Sequence, residues 1–282
     1  MNDSGLPIRD VSDTARWVAC FRARETARKD ALFRDPFAHR LAGSLGFEIA
    51  DNLLEGNKHD WAWAARTYLF DQFLASEIAA GADTVVVLGA GLDARPYRMT
   101  LPEGLHWIEV DLPAINSYKE EILAGDSPHC RLERISLDLT DLSARRRLFE
   151  NLNSSAKKIV VACEGLLIYF TPEGVAQLAT DLAHGDRFRS WIVDLASPGQ
   201  LKLMQRTTGK QLDAAGTPFL FGPMEGVNFF APYGWASREV CGLLKTAAQF
   251  GRPPAELLAL LPEPKAPSAN YPWTGVCLLE RS

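Results

Sequence analysis

Residues 85–99 run VVVLGAGLDARPYRM, an apolar stretch that breaks into Gly-Ala-Gly and then into a carboxylate and two arginines. Glycines at 89 and 91 allow a bound molecule to approach the backbone closely, and with Ala94 they satisfy the G-x-G-x-x-G/A spacing of dinucleotide-binding turns. Asp111 follows at the interval, about 20 residues, from which an acid reaches an adenosine ribose. Asp93 argues against a phosphate ligand. A pyrophosphate sits on the backbone N–H groups of such a turn, and a carboxylate beside it is repelled.

S-Adenosylmethionine makes demands that these residues meet better. It carries no phosphate; it has a sulfonium, an ammonium and a carboxylate around a ribose and an adenine. Asp111 has acceptor capacity for both ribose hydroxyls. Asp138 is placed to accept from the adenine amino group with Leu139 against the ring, and Glu164 to meet the ammonium. The cofactor's carboxylate then needs a cation. Arg66 supplies one, flanked at helical spacing by Ala62, Trp63, Leu69 and Phe70 on the apolar stripe of its own helix. A charge there is costly unless paired; its partner is either this carboxylate, through a bidentate guanidinium, or a nearby acid of the chain.

These residues need a scaffold that brings them to one rim. Strand-length runs recur at 84–89, 106–111, 131–139, 158–164 and 190–196, with helical patterns between them. Thr171, Pro172 and Gly185 bracket one helix as N-cap, first turn and stop. Such alternation predicts a parallel sheet covered on both faces, with ligands beyond the carboxyl ends of the strands. Four successive strand ends carry acids there. Residues 11–80 are expected to form a helical cap, 81–196 the cofactor-binding core, 197–235 a lid insertion, and 236–282 a helix and a final strand, YPWTGVCLLE, antiparallel at or near the sheet edge. All of 1–282 is expected to be one domain.

Bulk properties fit. The 282 residues are 47% hydrophobic and 23% charged, with a net charge of −5. That balance points away from nucleic acid as a partner. No run reaches the roughly 18–20 apolar residues that span a bilayer, and MNDSGLPIRD lacks the pattern of a secretory leader, so a soluble cytoplasmic chain is expected. Five scattered cysteines and no clustered Cys/His spacing indicate neither a disulfide framework nor a metal site.

LGAGLDARPYRM, VDLP, LDL and EGLLIYFTPE, preceded by RDPFA and ARTYLFDQF, resemble the leucine carboxyl methyltransferase family of class I S-adenosylmethionine-dependent methyltransferases. The resemblance is strongest to its bacterial branch, linked to O-methylation of polyketides and other secondary metabolites, and runs from about residue 12 to the C-terminus. It implies an α/β, Rossmann-like fold with a mostly parallel seven-stranded sheet and an antiparallel strand near the C-terminus. It implies cofactor contacts from Arg66, Gly89, Asp111, Asp138, Leu139 and Glu164, and from Arg16 as an N-terminal basic contact; Gly91 and Asp93 of the glycine turn are expected to join them. The sequence departs from the branch at Ala94 and Pro96, where Thr and Ala are usual.

The acceptor is expected to be a small molecule offering a carboxyl or a hydroxyl; a protein C-terminus, as in the eukaryotic branch, and a non-catalytic cofactor-binding protein are the alternatives. A carboxylate is ionised at pH 7 and needs no base, whereas a hydroxyl does. His39, His59, His106, His129 and His184 fall in no recognisable motif, which leans towards a carboxylate. Tyr169, just past Glu164, is the candidate catalytic residue; packing behind the strand is its other reading. Phe219, Phe221, Phe229, Phe230, Tyr233 and Trp235 in the insertion form either an acceptor wall or core.

Overall fold

Alternate residues of a strand face opposite ways, and the central strands obey this with apolar residues on both sides. Val86 and Leu88 enter one core, while Val85 and Val87 enter the other. A strand buried on both faces has to be an internal strand of a covered sheet. The computed structural model describes residues 11–53, 60–209, 212–213, 216–252 and 271–282.

Helices α1 (Val11–Ala27), α2 (Ala38–Leu53) and α3 (Asp60–Ala79) come first, where a helical cap is expected. The alternating part follows: β1 (Thr84–Leu88), α4 (Arg95–Arg98), β2 (His106–Asp111), α5 (Pro113–Ile122), β3 (Arg131–Ser136), α6 (Leu142–Ser155), β4 (Ile159–Cys163), α7 (Pro172–Ala183) and β5 (Phe188–Ala196). After it come α8 (Pro198–Met204), β6 (Trp235–Gly242), α9 (Leu243–Gln249) and β7 (Thr274–Arg281). The strands form one seven-stranded sheet in the order β3-β2-β1-β4-β5-β7-β6. β7 alone runs against its neighbours β5 and β6, so the expected α/β architecture is present.

One face of the sheet is packed by α6 and α7 through Leu148, Phe149, Val175, Leu178 and Leu182. The other is packed by α3 and α9 through Leu69, Phe70, Phe73, Leu243 and Ala247. α1 and α2 form a third cluster with Leu92, Ala94 and Tyr97 of the turn after β1. The cap therefore rests directly on the glycine turn. Thr171 caps α7 as its spacing predicts, its side chain accepting from Gly174 N–H at 3.1 Å.

Two element boundaries differ from expectation. β3 ends at Ser136 rather than 139, because its ladder stops where β2 stops, with Ser136 opposite Asp111. Asp138 and Leu139 therefore lie past the strand. The second difference is β6, unexpected within 236–282. It is an edge strand paired only with β7, and its sequence WASREVCG exposes the middle run 237–240 and buries only Trp235. Lacking an apolar alternation, it carries no strand signature. β7 consequently sits one place in from the edge.

Candidate functional site

The strand order reverses between β1 and β4, the position where open α/β sheets hold ligands. A cavity of about 830 Å³ lies there, within the range of small-molecule sites. Its lining draws on the carboxyl ends of β1, β2, β4 and β5, on α1 and α3, and on the insertion after β5.

The glycine turn is shaped by its own hydrogen bonds. Gly89 and Ala90 both donate to Val110 O, at 2.9 and 3.3 Å. Gly91 N–H donates to Asp111 Oδ2 at 2.6 Å, and Leu112 N–H to Oδ1 at 2.7 Å. The N–H groups at 89, 90 and 91 are thus engaged by the chain itself, and a pyrophosphate would have to displace the Val110 carbonyl from the first two and Asp111 from the third. Gly89 has φ +64°, and a Cβ there would lie 2.7 Å from Leu166 Cδ1, so only glycine fits. Burial raises the Asp111 carboxyl above its ordinary range, with the two N–H groups pulling the other way. Each oxygen keeps a lone pair for a further donor, as a ribose hydroxyl requires.

Beside the turn runs a chain of alternating charges. Arg66, only 8% exposed, places Nε 3.2 Å from Glu164 Oε1 and Nη1 3.1 Å from Asp194 Oδ2. Its guanidinium lies 4.6 Å over the Trp63 ring, and among the described residues its Nη2 has no hydrogen-bond acceptor. Arg95 spans Asp71 at 2.6 Å, Asp93 at 2.8 Å and Glu164 at 2.8 Å. Arg98 also holds Asp71, and lies 4.0 Å from Asp35, which Arg22 grips at 2.9 Å. Buried charges persist only when paired in this way.

Four guanidiniums (Arg22, Arg66, Arg95, Arg98) here face five carboxylates (Asp35, Asp71, Asp93, Glu164, Asp194), so the chain ends one formal negative charge in excess. Burial disfavours the Glu164 anion, but Arg95 and Arg66 together outweigh it and hold its carboxyl below the usual range. Asp93 is held low in the same way, Arg95 leading the cations that overcome its burial. Asp194 moves oppositely: burial raises it, and Arg66 with the Gly165 N–H offsets only part. The donor set suits S-adenosylmethionine, whose sulfonium, ammonium and carboxylate sum to one positive charge.

Arg66, Gly89, Gly91, Asp93, Asp111, Glu164 and Tyr169 all line the cavity. Asp93 does so with its carboxylate turned to Arg95, accepting from both Nη1 and the backbone N–H. Arg16, Asp138 and Leu139 are not among the lining residues. The Arg16 guanidinium stacks 4.0 Å over the Tyr118 ring. Asp138 is exposed and accepts from Thr140 N–H and Oγ1 at 2.8 and 2.7 Å, closing a local turn. Leu139 packs in the core and its carbonyl takes Arg145 Nη1 at 2.9 Å.

Asp194 was missed by sequence reasoning, although its signal was present: an acid inside the apolar run SWIVDLA, at the end of a fifth strand. The insertion aromatics divide. Phe219 and Phe221 line the cavity, with Phe219 5.5 Å from the Tyr169 ring. Phe230 and Trp235 instead pack on Trp191 at 5.2 and 5.5 Å, in the core under α7. Tyr169 is half-buried, hydrogen-bonded to the Thr14 side chain, and burial raises its phenol pKa. Among the described residues no histidine or lysine lines the cavity; His106 pairs with Glu133 at 2.9 Å, and His59 lies outside the described residues. No described helix is long and apolar enough to cross a membrane, no described His/Cys/Asp/Glu group is arranged for a metal, and no disulfide joins the five cysteines.

Comparison with known proteins bears on the family and the fold. The family model for leucine carboxyl methyltransferases matches residues 15–183. A Rhodococcus jostii protein, provisionally named an S-adenosyl-L-methionine-dependent methyltransferase, is 31% identical over 90% of this chain and 92% of its own. A Mycobacteroides abscessus protein with the same provisional name is 33% identical, the match spanning 61% of each chain. Among solved structures, a methyltransferase so named provisionally from Thermobifida fusca superposes with a TM-score of 0.60 over the whole of both chains, at 14% identity. A DUF574-family protein from Streptomyces avermitilis gives a TM-score of 0.61 over 95% and 97%, at 12% identity. At that identity these structures share the fold.

Proposed function

The chain belongs to the leucine carboxyl methyltransferase family, and from that premise we propose that it methylates a carboxyl or hydroxyl oxygen of a small molecule, a secondary metabolite with an apolar body. The observation that carries this reading is that a single cavity holds both the charged pole of Arg66, Glu164 and Asp194 and the side chains of Trp17, Met204, Phe219 and Phe221. A protein C-terminus asks for a flat, groove-like surface; a concave cavity with aromatic walls suits a small acceptor.

S-Adenosylmethionine, when bound, supplies an electrophilic methyl group on a sulfonium. The work of the chain is positioning. Asp111 accepts from the ribose hydroxyls, Arg66 holds the cofactor carboxylate through its remaining donor, and Arg95 fixes the Glu164 strut beneath. Holding two reactants in line contributes on the order of 7–11 kcal/mol to such a displacement. Tyr169 stays a neutral phenol at pH 7, because burial raises its pKa. It therefore donates a hydrogen bond to the acceptor and takes no proton from it. With no described histidine or lysine in the lining, the acceptor that fits best is a carboxylate, already ionised at neutral pH.

Calorimetry tests the first half. The protein should bind S-adenosylmethionine and ignore NAD, and Asp111→Ala should lose binding by about 10- to 100-fold, the worth of hydrogen bonds to a charged group. Transfer of a labelled methyl group to panels of aromatic carboxylic acids and phenols tests the second half. Mild base releases methanol from an ester and leaves an ether intact. Base-stable label would move the acceptor to a hydroxyl, and tight cofactor binding without any transfer would favour a binding protein.

A further inference from the structure

Glu164 immediately follows β4 and Asp194 lies near the end of β5, and both carboxylates share the Arg66 guanidinium. Their surroundings are unequal. Glu164 is oversupplied with donors: Arg66 Nε at 3.2 Å and Thr67 Oγ1 at 3.4 Å on one oxygen, and Arg95 Nη1 at 2.8 Å on the other. Two guanidiniums thus hold one carboxylate. Among the described residues Asp194 receives one edge of the already shared Arg66 at 3.1 Å, the Gly165 N–H at 2.7 Å and its own backbone N–H. Of these five carboxylates, Asp93 and Asp194 each touch a single guanidinium; Asp93 is turned onto Arg95 and held low, whereas Asp194 sits at the Arg66 end of the network with its carboxyl raised.

We propose that Asp194 is the ligand for the ammonium group of S-adenosylmethionine, and that Glu164 serves as the brace that sets Arg66 and Arg95. The inference rests on S-adenosylmethionine as the cofactor. It assigns a contact to a residue outside the glycine turn and outside the Glu164 position. A cation at Asp194 supplies the charge this end of the chain lacks, and burial, which holds its carboxyl above the ordinary range, makes that cation more welcome. Gly165 fits the arrangement. Its φ of +68° turns its N–H onto Asp194, and a Cβ there would lie 3.1 Å from Arg66 Nη1. One glycine therefore aims Asp194 while leaving room for Arg66, whose free edge takes the carboxylate of the same amino acid group.

Four ligands separate the possibilities by calorimetry on wild type and Asp194→Asn. S-Adenosylmethionine and S-adenosylhomocysteine carry both ammonium and carboxylate. Decarboxylated S-adenosylmethionine keeps the ammonium alone, and 5′-methylthioadenosine has neither. Asp194→Asn should bind the first three about 10- to 100-fold more weakly, with 5′-methylthioadenosine unchanged, which also shows the variant folded. Unchanged affinity for S-adenosylmethionine overturns the assignment. So does an equal loss for all four ligands, which would make Asp194 a scaffold residue. A loss confined to the carboxylate-bearing ligands would show that Asp194 acts through Arg66, and overturns it too. If wild type bound none of the four, the cofactor itself would be wrong.

Discussion

At the scale of single residues the site depends on close approach. Gly165 and Gly81 both adopt positive φ, +68° and +91°, but a Cβ on Gly81 meets nothing within 4 Å while one on Gly165 meets the Arg66 guanidinium. Alanine at either position should cost stability through the left-handed backbone, about 1–2 kcal/mol. Only Gly165→Ala should also weaken S-adenosylmethionine, on the order of tenfold, because Arg66 must yield by a few tenths of an ångström and its charged hydrogen bonds loosen. Urea unfolding and calorimetry on the two variants check this. Equal cofactor affinities would mean that Arg66 tolerates displacement and that its placement matters less than its charge.

At the scale of elements, the insertion after β5 has two jobs that its composition does not separate. Phe230 is fully buried against Trp191 and Phe221, whereas Phe219 borders the cavity beside Tyr169. Phe230→Ala should cost about 3–5 kcal/mol in urea unfolding, the usual loss for a core phenylalanine. Phe219→Ala should cost less, since its site already opens onto space, and should leave cofactor affinity within about twofold. A larger stability loss at Phe219 would mean that its place in the α1–α2 cluster outweighs its place on the cavity wall. The sequence could not draw this line, because an aromatic that packs on Trp191 and one that faces a ligand are equally apolar. The central strands were legible for the opposite reason: β1 and β4 bury both faces, and five-residue runs such as TVVVL admit little else. β6 was illegible because an exposed edge strand needs no apolar pattern. Within the site, Asp111 and Glu164 could be found from strand ends. Asp138 failed that logic because β3 stops early, and Asp194 escaped it because an acid within SWIVDLA reads as an interruption of the strand.

At the scale of the molecule, α1, α3, the ends of four strands and the insertion all converge on one cavity that carries surplus negative charge. Ligand binding, protonation and stability should therefore be coupled. Asp194 faces Arg66, the Gly165 N–H and the like charge of Glu164; Asp111 faces the Gly91 and Leu112 N–H groups and, farther off, Lys119. Both carboxyls are raised by burial, so in the folded protein each keeps a proton to higher pH than it does unfolded, where an aspartate titrates near 3.9. Their contribution to stability is fully present below that unfolded value and is lost as pH rises through the folded one. A cationic ligand favours the ionised forms. Its binding must then release protons in mildly acidic solution, and its affinity must climb with pH until both groups are ionised. Glu164 and Asp93, already held low, add nothing in that window. Saturating ligand stabilises by about 2.7 kcal/mol at a hundredfold excess over Kd, so the rise in Tm given by a fixed concentration of S-adenosylmethionine should be smaller at pH 5 than at pH 7.5. The uncharged 5′-methylthioadenosine should show a weaker dependence, limited to Asp111. Equal shifts at both pH values would mean that the surplus charge is already neutralised within the chain, and that the cavity selects its cofactor by shape alone.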